Sequence, residues 1–556
     1  VHIEVEPDEW WWGGAVADGT RMPFGAEPHR RELATNAGFL DDPTGGANQS
    51  APLLVSSHGR YVWSDEPFTF AFDGAGGLEV DEAAALRQAQ GASSAEAQGA
   101  SSGGAQGASS AEAQGASSGG AQGASSGEGQ GASLADAFRE AAREHFPASG
   151  RTPDRLMFSA PQYNTWIEMP YLPTQEGVLA YARGVLDAGF PPGLLMIDDR
   201  WSEDYGDWRF DPTRFGDPAA MTAQLHDWGF AVMVWLVPFV SPDSANSRFL
   251  AGKGWLVRDP DGRPAVREWW NGFSTVLDLT HPDAVGWLRD RLGELREAYG
   301  VDGFKLDAGD LRDYRSTDAT HAGTGPLVPT QQTEAWARFA AELEFNELRA
   351  CWRAGGQPLA QRLHDKQPTW GTDGLGSLIP EVVAQGLIGH AFGCPDMVGG
   401  GELGGFGGEF GSGHALDQEL FVRWAQASVL MPMVQFSLAP WRVLDAEHLR
   451  RVREALALRE RLLPEILALV EDAATTGDPV LRPLAFHHPG YERVGDEFLL
   501  GEDLLVAPVL EPGARRRHVR LPPGRWQAED GLVVDGPAEL DVEVDLGSLP
   551  WWRRVG

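Results

Sequence analysis

The chain has 556 residues, 42% of them hydrophobic, enough for two or three domains with a large core. Its formal net charge of −35 argues against nucleic acid and anionic membranes, which both require basic surfaces, and fits a solubility-driven or salt-adapted exterior. The two cysteines, Cys351 and Cys394, cannot build a disulfide framework and fit a cytoplasmic setting better than a secreted one.

No apolar run reaches the length of a membrane span, and the start at Val1 rather than Met is compatible with further N-terminal sequence. Residues 1–85 alternate apolar and polar positions, as in His2-Ile-Glu-Val-Glu6, Tyr61-Val-Trp63 and Phe68-Thr-Phe-Ala-Phe72, with Gly-rich turns between them. This pattern predicts all or part of an N-terminal β-sandwich. Residues 86–133 hold an eight-residue repeat beginning Gln90-Gly-Ala-Ser-Ser-Ala-Glu-Ala97 and recurring from Gln98, Gln106, Gln114 and Gln122. With no large apolar side chain it cannot repay its ordering entropy, so it is expected to be a linker without chemistry.

Residues 134–470 alternate short apolar strands with helical stretches. Expected strands are Leu156–Ser159, Gly193–Ile197, Ala231–Leu236, Gly303–Leu306, Gly389–Phe392 and Met433–Phe436. Expected helices are Thr174–Ala188, Pro282–Tyr299, Gln331–Leu348 and Glu447–Leu469. Such alternation implies an α/β (β/α)8 barrel. Residues 471–556 return to short strands, Phe498–Leu500, Leu504–Ala507 and His518–Leu521, and predict a C-terminal β-sandwich.

The stretch Gly303-Phe-Lys-Leu-Asp-Ala-Gly-Asp310 carries the strongest chemical signal. A buried strand ends on Asp307, the position where barrel enzymes place catalytic groups. Lys305, two residues earlier, points to the same side and favours the ionised carboxylate. The competing reading is a buried Lys-Asp pair that only joins two loops. Other strand ends and loops carry Asp198 and Asp199, Trp235, Trp269-Trp-Asn-Gly272, Asp310, Arg362, Trp370-Gly-Thr-Asp373 and Cys394-Pro-Asp396. Carboxylates that hold hydroxyls beside indoles that stack on a ring outline a sugar site.

The ordered motifs resemble glycoside hydrolase family 31, most closely its myogenesis-regulating-glycosidase branch, which is similar to α-galactosidases. The matching stretches are Gln162-Tyr-Asn-Thr-Trp-Ile167, Ile197-Asp-Asp-Arg-Trp201, Trp269-Trp-Asn-Gly272, Phe304-Lys-Leu-Asp-Ala-Gly-Asp310, Ser377-Leu-Ile-Pro380, Pro395-Asp-Met-Val-Gly-Gly400, Met431-Pro-Met-Val-Gln-Phe-Ser437 and Leu504-Leu-Val-Ala-Pro-Val-Leu510. The resemblance implies retaining hydrolysis of a terminal α-glycosidic bond in a small oligosaccharide or glycoside, with Asp307 as nucleophile and Asp373 as acid/base. It implies sugar contacts from Asp198 or Asp199, Trp235, Trp270, Lys305, Asp310, Arg362, Trp370 and Asp396. Lys305 and Arg362 are expected to keep Asp307 charged, and partial desolvation of the Asp373 loop to raise that group's pKa. Many α-glucosidases of the family carry a His near strand eight. Here Gln435-Phe-Ser437 stands instead, which tilts the expectation towards α-galactosides over α-glucosides or α-xylosides. No metal-ligand spacing is evident and the mechanism needs no cofactor.

Since the repeat has nothing that packs, deleting Gln90–Ala132 with a short Gly-Ser join is expected to leave the melting temperature and catalytic constants nearly unchanged. Thermal unfolding and steady-state kinetics of the deletion check this. A large loss in either would mean that the repeat docks on the enzyme.

Overall fold

Eight short parallel strands form the centre of the molecule. The computed structural model describes residues 1–34, 48–81, 85–88, 132–402 and 416–555. The repeat at 90–130 therefore lies outside the described residues. The barrel strands run, in chain order, Gln162–Asn164, Leu194–Ile197, Ala231–Leu236, Gly303–Leu306, Asn346–Leu348, Gln361–Arg362, Gly393–Cys394 and Gln435–Phe436. Strands one to seven pair in parallel in chain order, and strand eight pairs in parallel with strand one. A bridge between Met397 and Gln435, with Val398 N donating to Gln435 O at 2.8 Å, joins strand eight to the segment following strand seven.

Strands two, three and four are runs of apolar residues because helices cover them outside and the barrel packs them inside. Their observed bounds match the sequence expectation to within one residue. Helix Pro282–Tyr299 also falls where expected. Its start is fixed by His281, whose ring accepts from Asp283 N, and its end by Gly300 at φ +72°.

Three expected elements differ. Leu156–Ser159 is one turn of helix, not strand one, because the Asp154 carboxylate accepts from Leu156 N at 2.7 Å and starts a turn. Strand one begins later, at Gln162. The expected helix Gln331–Leu348 is a helix over Val328–Ala340 followed by strand five. The helix-forming run Ala340-Ala-Glu-Leu-Glu344 hides the break. Asn346 fixes the new direction, donating to Leu343 O and Pro358 O and accepting from Ala360 N. Strand seven is Gly393–Cys394 rather than Gly389–Phe392, since Gly389 takes φ +97° as the chain leaves the preceding helix.

Two all-β regions flank the barrel. At the N-terminal end a four-stranded sheet faces a second sheet built on Gln49–Ser56, around a core of Trp11, Phe24, Leu54, Phe70, Phe72 and Leu78. That second sheet includes Cys351–Trp352, a strand from the barrel segment that pairs in parallel with Gln49 and Ser50. Leu311 and Trp352 are buried in the same core. At the C-terminal end a six-stranded antiparallel sheet runs from Leu481–Arg482 to the Arg516–Ala528 and Val533–Glu543 hairpin. Between barrel and sheet lies helix Ala446–Thr476. Its buried Arg459 donates to the carbonyls of Phe158, Val429, Met431 and Pro432, each at 2.7 Å. Among the described residues no helix is long and apolar enough to cross a membrane.

Candidate active site

Strand four delivers Asp307 to the carboxyl end of the barrel. Its amide donates to Leu236 O at 2.9 Å, which continues the ladder to strand three. The chain then turns sharply through Ala308 at φ +51° and Gly309 at φ +75°. A Cβ on Gly309 would lie 2.6 Å from Trp336 Cδ1, so the turn requires glycine.

The Asp307 carboxylate is 6% exposed and surrounded by donors and cations. Oδ1 accepts from Ala308 N at 2.9 Å, and Oδ2 accepts from the Trp235 indole at 2.8 Å. Arg349 Nε lies 2.9 Å from Oδ1, and Lys305 Nζ lies 3.9 Å from Oδ2. Burial alone would push this carboxyl up. Arg349 first, then Lys305, Arg362 and the Trp235 hydrogen bond outweigh it and hold the group well below the usual carboxylate range. Asp307 is therefore an ionised carboxylate in a nearly dry setting.

Lys305 donates to Asp198 Oδ2 at 2.8 Å. Burial would lower its pKa, but Asp198 and the other carboxylates more than offset that and raise it. The neighbouring acids Asp198 and Asp199 point to different partners, as alternation along a strand end requires. Asp198 faces Lys305, whereas Asp199 accepts from Tyr205 Oη at 3.0 Å and from Asn271 Nδ2 at 2.5 Å. Burial pushes Asp199 up to about 7, against the hydrogen bond from Asn271.

A second group of charges continues from Arg349. Its Nη1 lies 3.8 Å from Asp365 Oδ2, and Asp365 Oδ1 accepts from Arg362 Nη1 at 2.7 Å. Arg362 also donates to Asp396 Oδ1 at 2.5 Å and to Glu347 Oε1 at 3.1 Å. Gln435 donates to Glu347 and to Gln162, which extends the polar network through the barrel interior. Asp396 takes φ +75° and accepts from Lys366 N, tying the loop after strand seven to the loop after strand six. Burial pushes its carboxyl up to about 7, opposed by Arg362.

The predicted residues thus divide. Asp198, Asp199, Trp235, Trp270, Lys305 and Asp307 come together around one centre. Trp270 is half-buried under the Arg349 guanidinium, 5.4 Å from the ring centroid. Arg362 and Asp396, both wholly buried, are engaged with protein groups rather than presented to a ligand. Asp310 accepts from Asn48 at 2.6 Å and turns towards the N-terminal sheet. Trp370 is half-buried and donates to Asp417 at 2.9 Å. Asp373, on the loop after strand six, is exposed rather than desolvated, and its Oδ1 accepts from the Thr369 hydroxyl. The Gly-rich turn around it supplies no apolar cover.

Sequence reasoning missed Arg349, Glu347, Asp365, Tyr171 and Tyr205. Arg349 follows strand five, which the run of helix-forming residues concealed. Tyr171 reaches the mouth from the loop after strand one, where Asp199, Glu402 and Asp365 add to the effect of burial in pushing its hydroxyl pKa up.

Two family models match the chain: the glycosyl hydrolases family 31 TIM-barrel domain over residues 156–469 and the family 31 C-terminal domain over residues 477–556. The chain belongs to glycoside hydrolase family 31. It is 36% identical to the mouse myogenesis-regulating glycosidase over 74% of this chain and 58% of that protein. It is 27% identical to the 1,3-alpha-isomaltosidase of Kribbella flavida over 66% of this chain and 58% of that one. The chain thus spans less than two thirds of the length of these relatives. Its fold superposes on the family 31 alpha-xylosidase from a soil metagenome, solved with xylose, with a TM-score of 0.76 at 22% identity, over 100% of this chain and 79% of that one.

The Asp199 environment has a measurable consequence. A carboxyl at about 7 in the folded protein keeps its proton where the unfolded chain, near pH 4, has lost it. Its stability contribution is therefore present at low pH and declines between roughly pH 4 and 7, by up to about 1.4 kcal/mol per pH unit. Asp199→Asn removes that decline. The melting temperature of the variant, relative to the parent protein, is expected to rise from pH 5 to pH 8. A difference that stays flat would mean that Asp199 titrates as an ordinary carboxyl.

Proposed function

We propose that the protein is a retaining, exo-acting α-glycosidase that cleaves terminal α-linked sugars by double displacement. The observation that carries this reading is the ionised Asp307 at the end of strand four, held by Trp235, Arg349 and Lys305. In the first step its carboxylate attacks the anomeric carbon. Asp373 gives its proton to the glycosidic oxygen, the carbon–oxygen bond breaks, and a β-linked glycosyl ester forms on Asp307. In the second step Asp373 takes a proton from water. The hydroxide attacks from the opposite face, frees Asp307 and releases the α-sugar. Lys305 and Arg349 keep the nucleophile charged before attack and receive it again afterwards.

The favoured sugar is α-galactose. This finer reading is supported by Pro395-Asp-Met-Val-Gly-Gly400 and Gln435-Phe-Ser437, which resemble the α-galactosidase-like branch. Asp198, Asp199 and Trp270 are the candidates for reading the 4-hydroxyl. The names of two relatives, an isomaltosidase and an alpha-xylosidase, favour a second reading, hydrolysis of α-glucosides or α-xylosides by the same pair of acids.

Asp307→Asn is expected to abolish turnover, by many orders of magnitude, in a folded protein. Asp373→Ala is expected to lose less activity on substrates with good leaving groups than on poor ones, and azide to restore part of it with an α-configured azide product. Equal losses across leaving groups without rescue would remove Asp373 from the mechanism.

The sugar is decided by comparing aryl α-galactoside, α-glucoside and α-xyloside at equal concentration. The expected outcome is a clear preference for the galactoside, because a site built around one epimer leaves buried polar groups unpaired with the other. Preference for the glucoside or xyloside would overturn the galactose reading and leave the two-carboxylate mechanism standing.

A further inference from the structure

Strands five and six are the weakest of the paired seams of the barrel. They share one paired position, Leu348 with Gln361, whereas strands two and three share four. Yet their ends carry Arg349 and Arg362, the two guanidiniums that share Asp365. A side chain from outside the barrel closes this seam. Gln49, at the start of the N-terminal strand Gln49–Ser56, is 2% exposed. Its Nε2 donates to Arg349 O at 2.9 Å and to Arg362 O at 2.5 Å. Its Oε1 accepts from Gln385 Nε2 at 2.6 Å. Both donors and the acceptor of one amide are thus used on the barrel segment.

The amide is also held in place from behind. Asn48 O accepts from Cys351 N at 2.8 Å and Ser50 O accepts from Arg353 N at 3.0 Å, so Gln49 sits within a parallel ladder two residues beyond Arg349. The ladder fixes the backbone of Gln49, and the three side-chain hydrogen bonds fix its amide. Supporting groups on rigid elements fix reactive geometry better than loops do.

We propose that Gln49 is a positioning residue for the nucleophile, acting through Arg349, so that the N-terminal sheet is part of the catalytic apparatus. This rests on the reading of Asp307 as nucleophile. Clamping the two carbonyls sets the distance between the strand ends, hence where the Arg349 guanidinium meets Asp307. Without the amide, the carbonyls of Arg349 and Arg362 lose their shared donor and the strand ends part. A misplacement near 1 Å at a reactive group costs on the order of 10²-fold in rate.

The test uses Gln49→Met, which keeps length but has no amide, and Gln49→Asn, which keeps the amide but is too short to span both carbonyls. The second variant serves if the first does not fold. Crystal structures of the variants are expected to show Arg349 Nε withdrawn from Asp307 Oδ1, beyond ion-pair distance. Per folded molecule, kcat on an aryl α-glycoside is expected to fall by about tenfold or more with KM little changed. In an Arg349→Lys background the same substitution is expected to add no further loss. A purely structural role would lower the melting temperature and the folded fraction yet leave kcat per folded molecule intact. An unmoved Arg349, a wild-type kcat, or a full additive loss in the Arg349→Lys background would each overturn the proposal. If the parent protein turns over none of the aryl α-glycosides, the glycosidase reading fails on its own, and the Arg349 position in the variant structures still decides the role of Gln49.

Discussion

The structure depends on keeping one carboxylate charged out of water. An isolated buried carboxylate would take up a proton, so Asp307 needs cations within reach. Those cations are themselves buried and need anions. The requirement propagates: Asp307 calls for Arg349 and Lys305, Lys305 for Asp198, Arg349 for Asp365, and Arg362 for Asp365, Asp396 and Glu347. The result is an alternating chain of charges across the loops after strands two to seven. Lys253, Lys305 and Lys366 are the only lysines in the sequence, and two of the three are buried at this end of the barrel. Lys253 is exposed on a surface helix, and the other cations of the chain are arginines, whose planar fork suits bidentate contacts. Lys305 fits the narrow place between Asp198 and Asp307.

That chain of charges explains why the barrel is strongest where it is apolar and weakest where it is polar. Strands two to four pair through aliphatic and aromatic residues and hold Asp307 and Trp235 in register. Strands five, six and eight are short and polar, and their interior is filled by Glu347, Arg362, Gln435 and Gln162 instead of branched aliphatics. A polar network specifies one arrangement only when its members are satisfied. Here several satisfying groups come from outside the barrel: Gln49 at the seam of strands five and six, and Asn48 at Asp310.

The same contrast decides what was legible in the sequence. Apolar strands announced themselves, so strands two, three and four and the placement of Asp307 could be read from periodicity and strand-end chemistry. The motif after strand six could be read from its resemblance to the family. Strand six, Gln361–Arg362, has no apolar run at all. Strand five follows a helix without an obvious break, so Arg349, the cation nearest to Asp307, went unread. Long-range partners leave no local trace either. Nothing near Gln49 or Asn48 shows that they meet residues some 300 and 262 positions away.

Arg362 and Arg349 show why residue type is a poor guide to role within such a site. Both are arginines at adjacent strand ends, and the sequence favoured Arg362 as the one that grips a sugar. In the structure Arg362 is wholly enclosed by three carboxylates, while Arg349 stacks over the half-buried Trp270 and reaches Asp307 directly. A guanidinium already committed to three anions has little left for a ligand, whereas one that shares the Asp307 carboxylate and a half-buried indole face lies where a ligand can meet it. What separates the two is the number of anions each already holds. That number is set by which loops the barrel brings together, a property of the closed fold that neither residue's local sequence contains.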